Sequence, residues 1–212
     1  MGSPSKRQKI YAYLCRRGAH IVYLQETHLA KGEAIKLQRR WRGKIFATET
    51  SAFAKGALIW VRPGVPFEPL EARIDKGGRW VLIKGRLNGE EVTLGSIYAP
   101  NQGQLEFLGE LSPTFGDLGT EKMIIGGDFN SVLDVNMDRS TPPLKQAPAN
   151  KIAKGLARWS GDWGDNGCLE TTASDGPRVL LLFTGPRRAC LAGPYLLLKR
   201  YLHRCLRGRI PG

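Results

Sequence analysis

The sequence has no hydrophobic run long enough to span a membrane and no apolar segment near its start that resembles a secretion signal. Its longest apolar runs, at 179–183 and 195–198, are far too short. Cysteine is scarce, and the four cysteines show no C-x-x-C spacing: Cys15, Cys168, Cys190 and Cys205. Unpaired thiols are typical of reducing compartments. We therefore expect an intracellular protein with no membrane partner and no cysteine metal site.

Acidic residues are absent from residue 176 to the C-terminus, where eight of the 32 basic residues lie. The formal charge of the whole chain is +13, and without those eight charges +5 remains for residues 1–175. A strong positive charge favours contact with polyanions. Because most of the excess lies in the last segment, charge alone does not establish that the main part binds nucleic acid.

Short apolar runs alternate with amphipathic stretches, a pattern that predicts an α/β fold. A first helix should open at Ser3 and Pro4 and end near Gly18, and a second should cover 33–40. A third, around 105–111, should break at Pro113. Strands are predicted at 21–24, 44–48, 56–61, 79–87, 91–98 and 123–125, with a hairpin at Asn88-Gly89. Beyond about residue 163 we find neither a helical nor a strand period.

Two acidic residues directly follow buried strands, Glu26 after Ile-Val-Tyr-Leu-Gln and Asp128 after Met-Ile-Ile-Gly-Gly. Ligands of α/β sheets bind at strand ends, and two carboxylates meeting there suit Mg²⁺, which prefers oxygen ligands. Asn130 could then hold a phosphate oxygen or the attacking water. The alternative is ordinary: acidic residues in turns cap helices and face solvent, and Tyr98 is then a half-buried strand aromatic.

Three segments occur in order at wide spacing: Tyr-Leu-Gln-Glu-Thr-His at 23–28, Ser-Ile-Tyr-Ala-Pro-Asn at 96–101 and Gly-Gly-Asp-Phe-Asn at 126–130. Together they resemble the signature segments of the exonuclease III-like endonuclease/exonuclease/phosphatase superfamily. Glu-Thr-His-Leu and the Ser-Pro-Ser-Lys-Arg start look most like the endonuclease domain of vertebrate LINE-type retrotransposons. The resemblance implies a four-layer α/β sandwich of two mixed sheets, DNase I-like, here incomplete.

The resemblance also implies roles for individual residues. Glu26 would be the metal ligand, for Mg²⁺ or alternatively Mn²⁺, while Tyr98 and Asn101 would contact the scissile phosphate. Asp128 would orient the attacking water, and Asn130 would support the transition state. The implied activity is nicking of DNA that leaves a 3′-hydroxyl, with DNA as the partner, no stable protein partner and the nucleus as the location. His28 lies in the motif, but we interpret it as a loop or packing residue.

The sequence also departs from this family. The family's first strand with its metal-site Asn, and its later Ser-Phe-Phe-Ser, Arg-Ile-Asp and Asp-His segments, have no match. When the codons of residues 168–172 and 176–185 are read in a neighbouring reading frame, they permit amino-acid sequences similar to those that the family has at this point of the chain. Our hypothesis is a frameshift between about Trp163 and Cys168. We thus expect a partial domain at 1–163, and at 164–212 a basic, out-of-frame tail that packs poorly.

Three functional interpretations follow from these observations. The first is a Mg²⁺-dependent DNA endonuclease, by ancestry. The second is an inactive retroelement relic, which is what the missing segments predict for this chain. The third is a non-catalytic nucleic-acid binder that uses the tail and the Lys and Arg residues of 36–44. A more distant interpretation, a phosphoinositide or sphingomyelin phosphodiesterase, is disfavoured by the Glu-Thr-His-Leu segment.

Overall fold

The computed structural model describes residues 3–50, 55–118 and 122–130, together with the backbone of 168–171 and 180–183. Its helices are α1 (Pro4–Arg16), α2 (Glu33–Trp41) and α3 (Gln104–Leu118). Its strands are β1 (Ile21–Gln25), β2 (Lys44–Ala47), β3 (Ala57–Val61), β4 (Phe67–Ile74), β5 (Trp80–Leu87), β6 (Glu90–Tyr98), β7 (Met123–Asp128), β8 (Cys168–Thr171) and β9 (Leu180–Phe183). Among the helices described, none is long and apolar enough to cross a membrane.

The described strands form two sheets. The smaller sheet has the order β1-β3-β2 and is antiparallel throughout. The larger has the order β4-β5-β6-β7-β9-β8, in which β6 and β7 are parallel and every other neighbouring pair is antiparallel. The larger sheet is therefore mixed, and its one parallel pair is the pair that ends at Tyr98 and Asp128.

The two sheets pack face to face, and helices cover both outer surfaces. Alternate residues of β1 and β3, such as Tyr23 and Ile59, enter a core with Ile83 and Leu94 of the larger sheet. The outer face of the smaller sheet packs against α1 and α2, and the outer face of the larger sheet packs against α3. All five residues of β3 are buried, as expected for a strand covered on both faces. The predicted four-layer α/β sandwich is confirmed.

Local sequence signals set several element boundaries as predicted. The Ser3 side chain accepts a hydrogen bond from the Lys6 amide, and Pro4 is the first residue of α1. Gly18, just after this helix, has φ +67°. Asn88 and Gly89, with φ +54° and +87°, connect β5 to β6. Two positive φ values are what a two-residue type I′ hairpin requires.

The prediction that Pro113 breaks the third helix is wrong, because α3 runs through it to Leu118. A proline inside a helix costs about 3 kcal/mol. Here the Ser112 hydroxyl donates to the Leu108 carbonyl at 2.9 Å, and Pro113 itself faces solvent. On the opposite side, α3 buries four apolar side chains, and each fully buried side chain contributes about 1.5–3 kcal/mol. They are Leu108, Leu111, Phe115 and Leu118.

Strand β4 was not predicted. Its sequence, Phe-Glu-Pro-Leu-Glu-Ala-Arg-Ile, holds three charged residues and a proline, which are uncommon in strands. It pairs only with β5 among the described strands, so it lies at an edge where a missing N–H is tolerated. The register shifts between Pro69 and Glu71, which accommodates the proline as a bulge.

The predicted tail is described only in part. The backbone of 168–171 and 180–183 forms β8 and β9, and β9 pairs with β7. The expected poor packing and the frameshift of 164–212 otherwise concern residues outside those described.

Candidate active site

The parallel pair β6 and β7 brings two of the three sequence segments side by side. Tyr98 and Asp128 are register partners at the last position of the pair. The ladder continues for one more bond, from the Ala99 amide to the Asp128 carbonyl at 2.8 Å. The two side chains therefore lie at the same edge of the larger sheet, which we call the site edge.

The third segment reaches the site edge from the smaller sheet. The Gln25 side-chain amide donates to the Ser96 hydroxyl at 3.2 Å, which ties the end of β1 to β6. The next residue, Glu26, is exposed and accepts a hydrogen bond from the Tyr98 hydroxyl at 3.1 Å. Glu26, Tyr98 and Asp128 thus converge, although 72 residues separate Glu26 from Tyr98.

Burial, followed by the hydrogen bond to Glu26, raises the pKa of Tyr98 above its usual 10.0. The negative charges of Glu26 and Asp128 act in the same direction, whereas the positive charge of Arg79 opposes them. The phenol is therefore protonated at neutral pH and acts as a hydrogen-bond donor.

Arg79 is a part of this arrangement that sequence reasoning missed. Its guanidinium lies 5.2 Å from the centre of the Tyr98 ring. The same group donates to the carbonyls of Tyr98 and Ala99 at 3.4 and 3.3 Å. The Asp75 carboxylate holds the Arg79 amide at 2.6 Å. In the sequence Arg79 is only the first residue of the strand predicted at 79–87, and nothing there indicates that it folds over the end of β6.

A small hydrogen-bond network fixes the loops after β6 and β7. The Asn130 amide donates to Asp128 Oδ1 at 2.9 Å, and Asn130 Nδ2 donates to the Ala99 carbonyl at 2.7 Å. The buried Gln104 side chain donates to the carbonyls of Asn101 and Asn130 at 2.8 and 3.1 Å. Gln104, at the start of α3, therefore joins the two loops, a role the sequence did not indicate. Asn101 is exposed at the same edge.

The segment after β1 is tightly enclosed. Thr27 is fully buried, its amide donates to the Gly56 carbonyl at 3.3 Å, and the His28 amide donates to the Lys55 carbonyl at 3.0 Å. A Cβ at Gly56 would lie only 2.3 Å from Thr27 Oγ1. Thr27 Oγ1 is itself buried without a hydrogen-bond partner among the described residues. His28 lies half-buried in this loop rather than in the Glu26–Tyr98 contact.

The oxygen groups at the site edge fit Mg²⁺ better than a transition metal. Within the described residues there is no group of three His, Cys, Asp or Glu side chains that could hold a metal. Mg²⁺ needs fewer protein ligands, because it keeps several waters and is bound by one or two carboxylates together with substrate phosphate. Glu26 and Asp128 are the two carboxylates at the site edge that could contribute to such a set.

The chain is also similar to known proteins. No protein-family model matches the chain. An uncharacterized 149 kDa protein of transposon TX1 from Xenopus laevis is 26% identical over 161 residues, which are 74% of this chain. The match covers only 12% of that protein's length.

Solved structures share the fold. The endonuclease domain of TRAS1, a telomere-specific non-LTR retrotransposon, has a TM-score of 0.57 at 16% identity, covering 86% of this chain and 80% of that one. An AP endonuclease from Archaeoglobus fulgidus gives 0.57 at 14%, covering 84% and 81%. TDP2 of D. rerio, complexed with single strand DNA product, gives 0.55 at 14%, covering 89% and 79%. The chain shares the DNase I-like fold of these structures, as its motifs implied.

Proposed function

We propose that this chain, which has the DNase I-like fold, is by ancestry a Mg²⁺-dependent phosphodiesterase that nicks DNA, with an inactive relic of such an enzyme as the alternative. The observation that carries the proposal is the hydrogen bond from Tyr98 to Glu26 beside Asp128. This hydrogen bond and the pairing of β6 with β7 bring together three segments, from two sheets, that are far apart in the sequence. A chance arrangement of turn carboxylates would not require a phenol donor between them.

Glu26 is the proposed metal ligand, because its carboxylate is exposed and reachable from solvent. The metal, Mg²⁺ or alternatively Mn²⁺, would stabilise negative charge on the phosphate and the leaving oxygen. Asp128 is proposed to orient the attacking water. One of its oxygens already accepts the Asn130 amide, which fixes the carboxylate and leaves the other oxygen to receive a proton from that water.

Tyr98 is proposed to donate its phenolic hydrogen to a phosphate oxygen of the bound substrate. The raised pKa keeps the proton on the phenol through the neutral range. Asn101, exposed beside it, would contact the same phosphate. Asn130 would support the transition state, and its bond to the Ala99 carbonyl holds it at the end of β6.

DNA is proposed as the substrate on the basis of the proteins that share the fold. They include a retrotransposon endonuclease, an AP endonuclease and a TDP2 complexed with single strand DNA product. The transposon TX1 protein favours the retrotransposon type. A substrate of this kind implies action in the nucleus, and no stable protein partner is proposed.

The test is nicking of supercoiled plasmid by the purified 212-residue chain, with Mg²⁺ and with EDTA. Glu26→Gln and Asp128→Asn should each abolish Mg²⁺-dependent nicking. Glu110→Gln is the matched control. Glu110 is an exposed carboxylate on α3, in the helix layer that covers the outer face of the larger sheet. It should nick at the unmodified rate.

The other outcomes separate the remaining interpretations. A folded chain that does not nick, at any concentration of Mg²⁺ or Mn²⁺, rejects the activity and favours the inactive relic. DNA binding with a steep salt dependence but no nicking favours the non-catalytic binder. Nicking that survives both substitutions rejects the residue assignment.

A further inference from the structure

A second charged surface lies at the end of the sandwich opposite the site edge. We call it the basic edge and define it by seven residues: Arg16, Arg17, Arg39, Arg40, Arg42, Lys44 and Arg62. They come from three segments, 10–20, 34–48 and 57–67, that contain no aspartate or glutamate. Four of the seven belong to the Lys and Arg residues of 36–44 that the sequence already suggested for nucleic-acid binding, and the fold adds Arg16, Arg17 and Arg62 to them.

The strand topology places these residues at one end of the smaller sheet. Ile21 and Lys44, at the starts of β1 and β2, are both register partners of Val61 at the end of β3. The Arg62 amide donates to the His20 carbonyl at 2.8 Å, and the Trp60 indole donates to the Arg42 carbonyl at 2.9 Å. The C-terminal ends of α1 and α2, which precede β1 and β2, therefore lie at this edge together with the end of β3.

The positive charges of the basic edge are not neutralised by the described part of the chain. Six of its seven members are exposed and Arg62 is half-exposed. None of them takes part in an ion pair described for the chain. At the same end of the larger sheet the positive charges are neutralised. Each cation there pairs with a carboxylate: Lys84 with Glu91, Arg86 with Glu68 and Lys122 with Glu90.

Helix stability explains only part of this clustering. Cations in the last turn of a helix interact favourably with its dipole by about 0.3–1 kcal/mol each, which accounts for Arg16, Arg39 and Arg40. Arg17, Arg42, Lys44 and Arg62 lie outside the helices, and their mutual repulsion disfavours the folded state. A set of like charges without counter-charges is typical of a surface that binds an external polyanion.

A cavity of about 420 Å³ extends this surface onto the larger sheet. Its lining includes Lys44 and the ion pair of Arg86 with Glu68. Lys44 also donates to the Phe67 carbonyl, so its ammonium is held at the cavity mouth. The space is large enough to admit a phosphate group beside that ammonium.

The basic edge is separate from the candidate active site. β1 and β3 have five residues each, and at about 3.3 Å per residue they separate the two edges by roughly 17 Å. The two edges face opposite directions. A duplex held at Glu26 and Asp128 would therefore leave the basic edge unoccupied.

We propose that the basic edge binds the phosphate backbone of a second segment of double-stranded DNA, so that one protein bridges two segments. Arginine suits phosphate because its planar guanidinium binds two oxygens at once. Duplex is favoured over single strands, which proteins hold by stacking bases on exposed aromatic rings. Trp41 and Trp60 are buried here, and Arg17 covers the Tyr13 ring. The proposal rests on DNA as the partner in the proposed function, but not on hydrolysis.

The test is a bridging assay with two unrelated 20-base-pair duplexes, one carrying a donor and one an acceptor fluorophore, in EDTA. Energy transfer appears only when one particle holds both. The variant is R39Q/R40Q/R42Q, and the matched control, R204Q/R207Q/R209Q, removes the same three charges from the C-terminal segment. Each phosphate contact contributes about 0.9 to the slope of log affinity against log salt. The variant should lower the slope for the second duplex by about 2.7, whereas the control should leave it unchanged.

Every outcome decides the proposal. Loss of bridging in the variant, with unfolding by urea unchanged and the control intact, supports it. Bridging kept in the variant, equal loss in the control, or no bridging by the unmodified chain overturns it. Replacing one duplex by double-stranded RNA should weaken the signal, and a stronger signal overturns DNA as the occupant. Because the assay contains EDTA and does not depend on hydrolysis, failure of the nicking proposal is read separately.

Discussion

Replacing Gly127 by alanine should separate the two strands that carry Tyr98 and Asp128. Gly127 is the register partner of Ile97, one row before that pair. A Cβ at Gly127 would lie 2.1 Å from the Ile97 carbonyl oxygen and 2.8 Å from its carbon. Because these are backbone atoms, no side-chain rotation can relieve the clash, and β6 must move away from β7.

The size of the effect follows from these distances. Real Cβ contacts are at least 3.0 Å, so the strands must separate by about 1 Å. Overpacking of this kind costs about 1–3 kcal/mol. Weakening the next bond, between the Ala99 amide and the Asp128 carbonyl, adds about 0.5–1.5 kcal/mol. We expect the free energy of unfolding of Gly127→Ala to fall by roughly 2–4 kcal/mol, measured by urea denaturation.

The matched control is Gly116→Ala. Gly116 is exposed in α3, and a Cβ there meets nothing within 4 Å. Alanine in a helix interior is favoured over glycine by about 0.5–1 kcal/mol, so this variant should be more stable than the unmodified chain. In the nicking assay the 1 Å displacement in Gly127→Ala should cost about 10²-fold in rate. A Gly127→Ala protein within about 0.5 kcal/mol of the unmodified chain would refute the close pairing of β6 and β7.

Three further predictions use the same denaturation measurement. Pro113→Ala should raise the free energy of unfolding by about 1–3 kcal/mol, because it restores a hydrogen bond inside α3. A decrease in this free energy would show that the Pro113 side chain makes stabilising contacts. Thr27→Val should be neutral or stabilising by about 1 kcal/mol, since it removes the buried hydroxyl that has no partner among the described residues; a loss above 1 kcal/mol would indicate a missing partner. The pKa of Tyr98 is higher in the folded than in the unfolded chain, so its contribution to stability is present below pH 10.0 and is lost as pH rises through the folded pKa. Tyr98→Phe should flatten that alkaline decline between pH 9 and 11, and an unchanged decline would contradict the assignment.

Sequence alone predicted the elements whose signals are local. The helix start at Ser3, the Asn88-Gly89 hairpin and the apolar runs of β1, β3 and β7 depend on side chains close in sequence. The predicted order of layers also followed, because an alternation of strands and helices leaves few compact arrangements. The three signature segments are local as well, since each combines a buried strand with the turn that follows it.

What the sequence did not predict depends on distant contacts. Strand β4 exists because β5 offers it a free edge, and its own composition argues against a strand. The helix through Pro113 persists because α3 packs on the larger sheet. Arg79 and Gln104 matter only because the fold places them over Tyr98 and between the loops of Asn101 and Asn130. None of these positions carries a composition or spacing signal.

The backbone itself marks the site edge without any reference to relatives. Glu26 and Asn130, in two of the three converging segments, have φ +52° and +48°. Such values are unfavourable for residues other than glycine, and more so for Glu than for Asn, at a cost of about 1–3 kcal/mol each. Thr27, buried beneath Gly56, and the Asn130 amide, bound to Asp128, hold the two residues in place. The fold therefore maintains a strained backbone at Glu26 and Asn130, the residues next to the Tyr98 and Asp128 contacts.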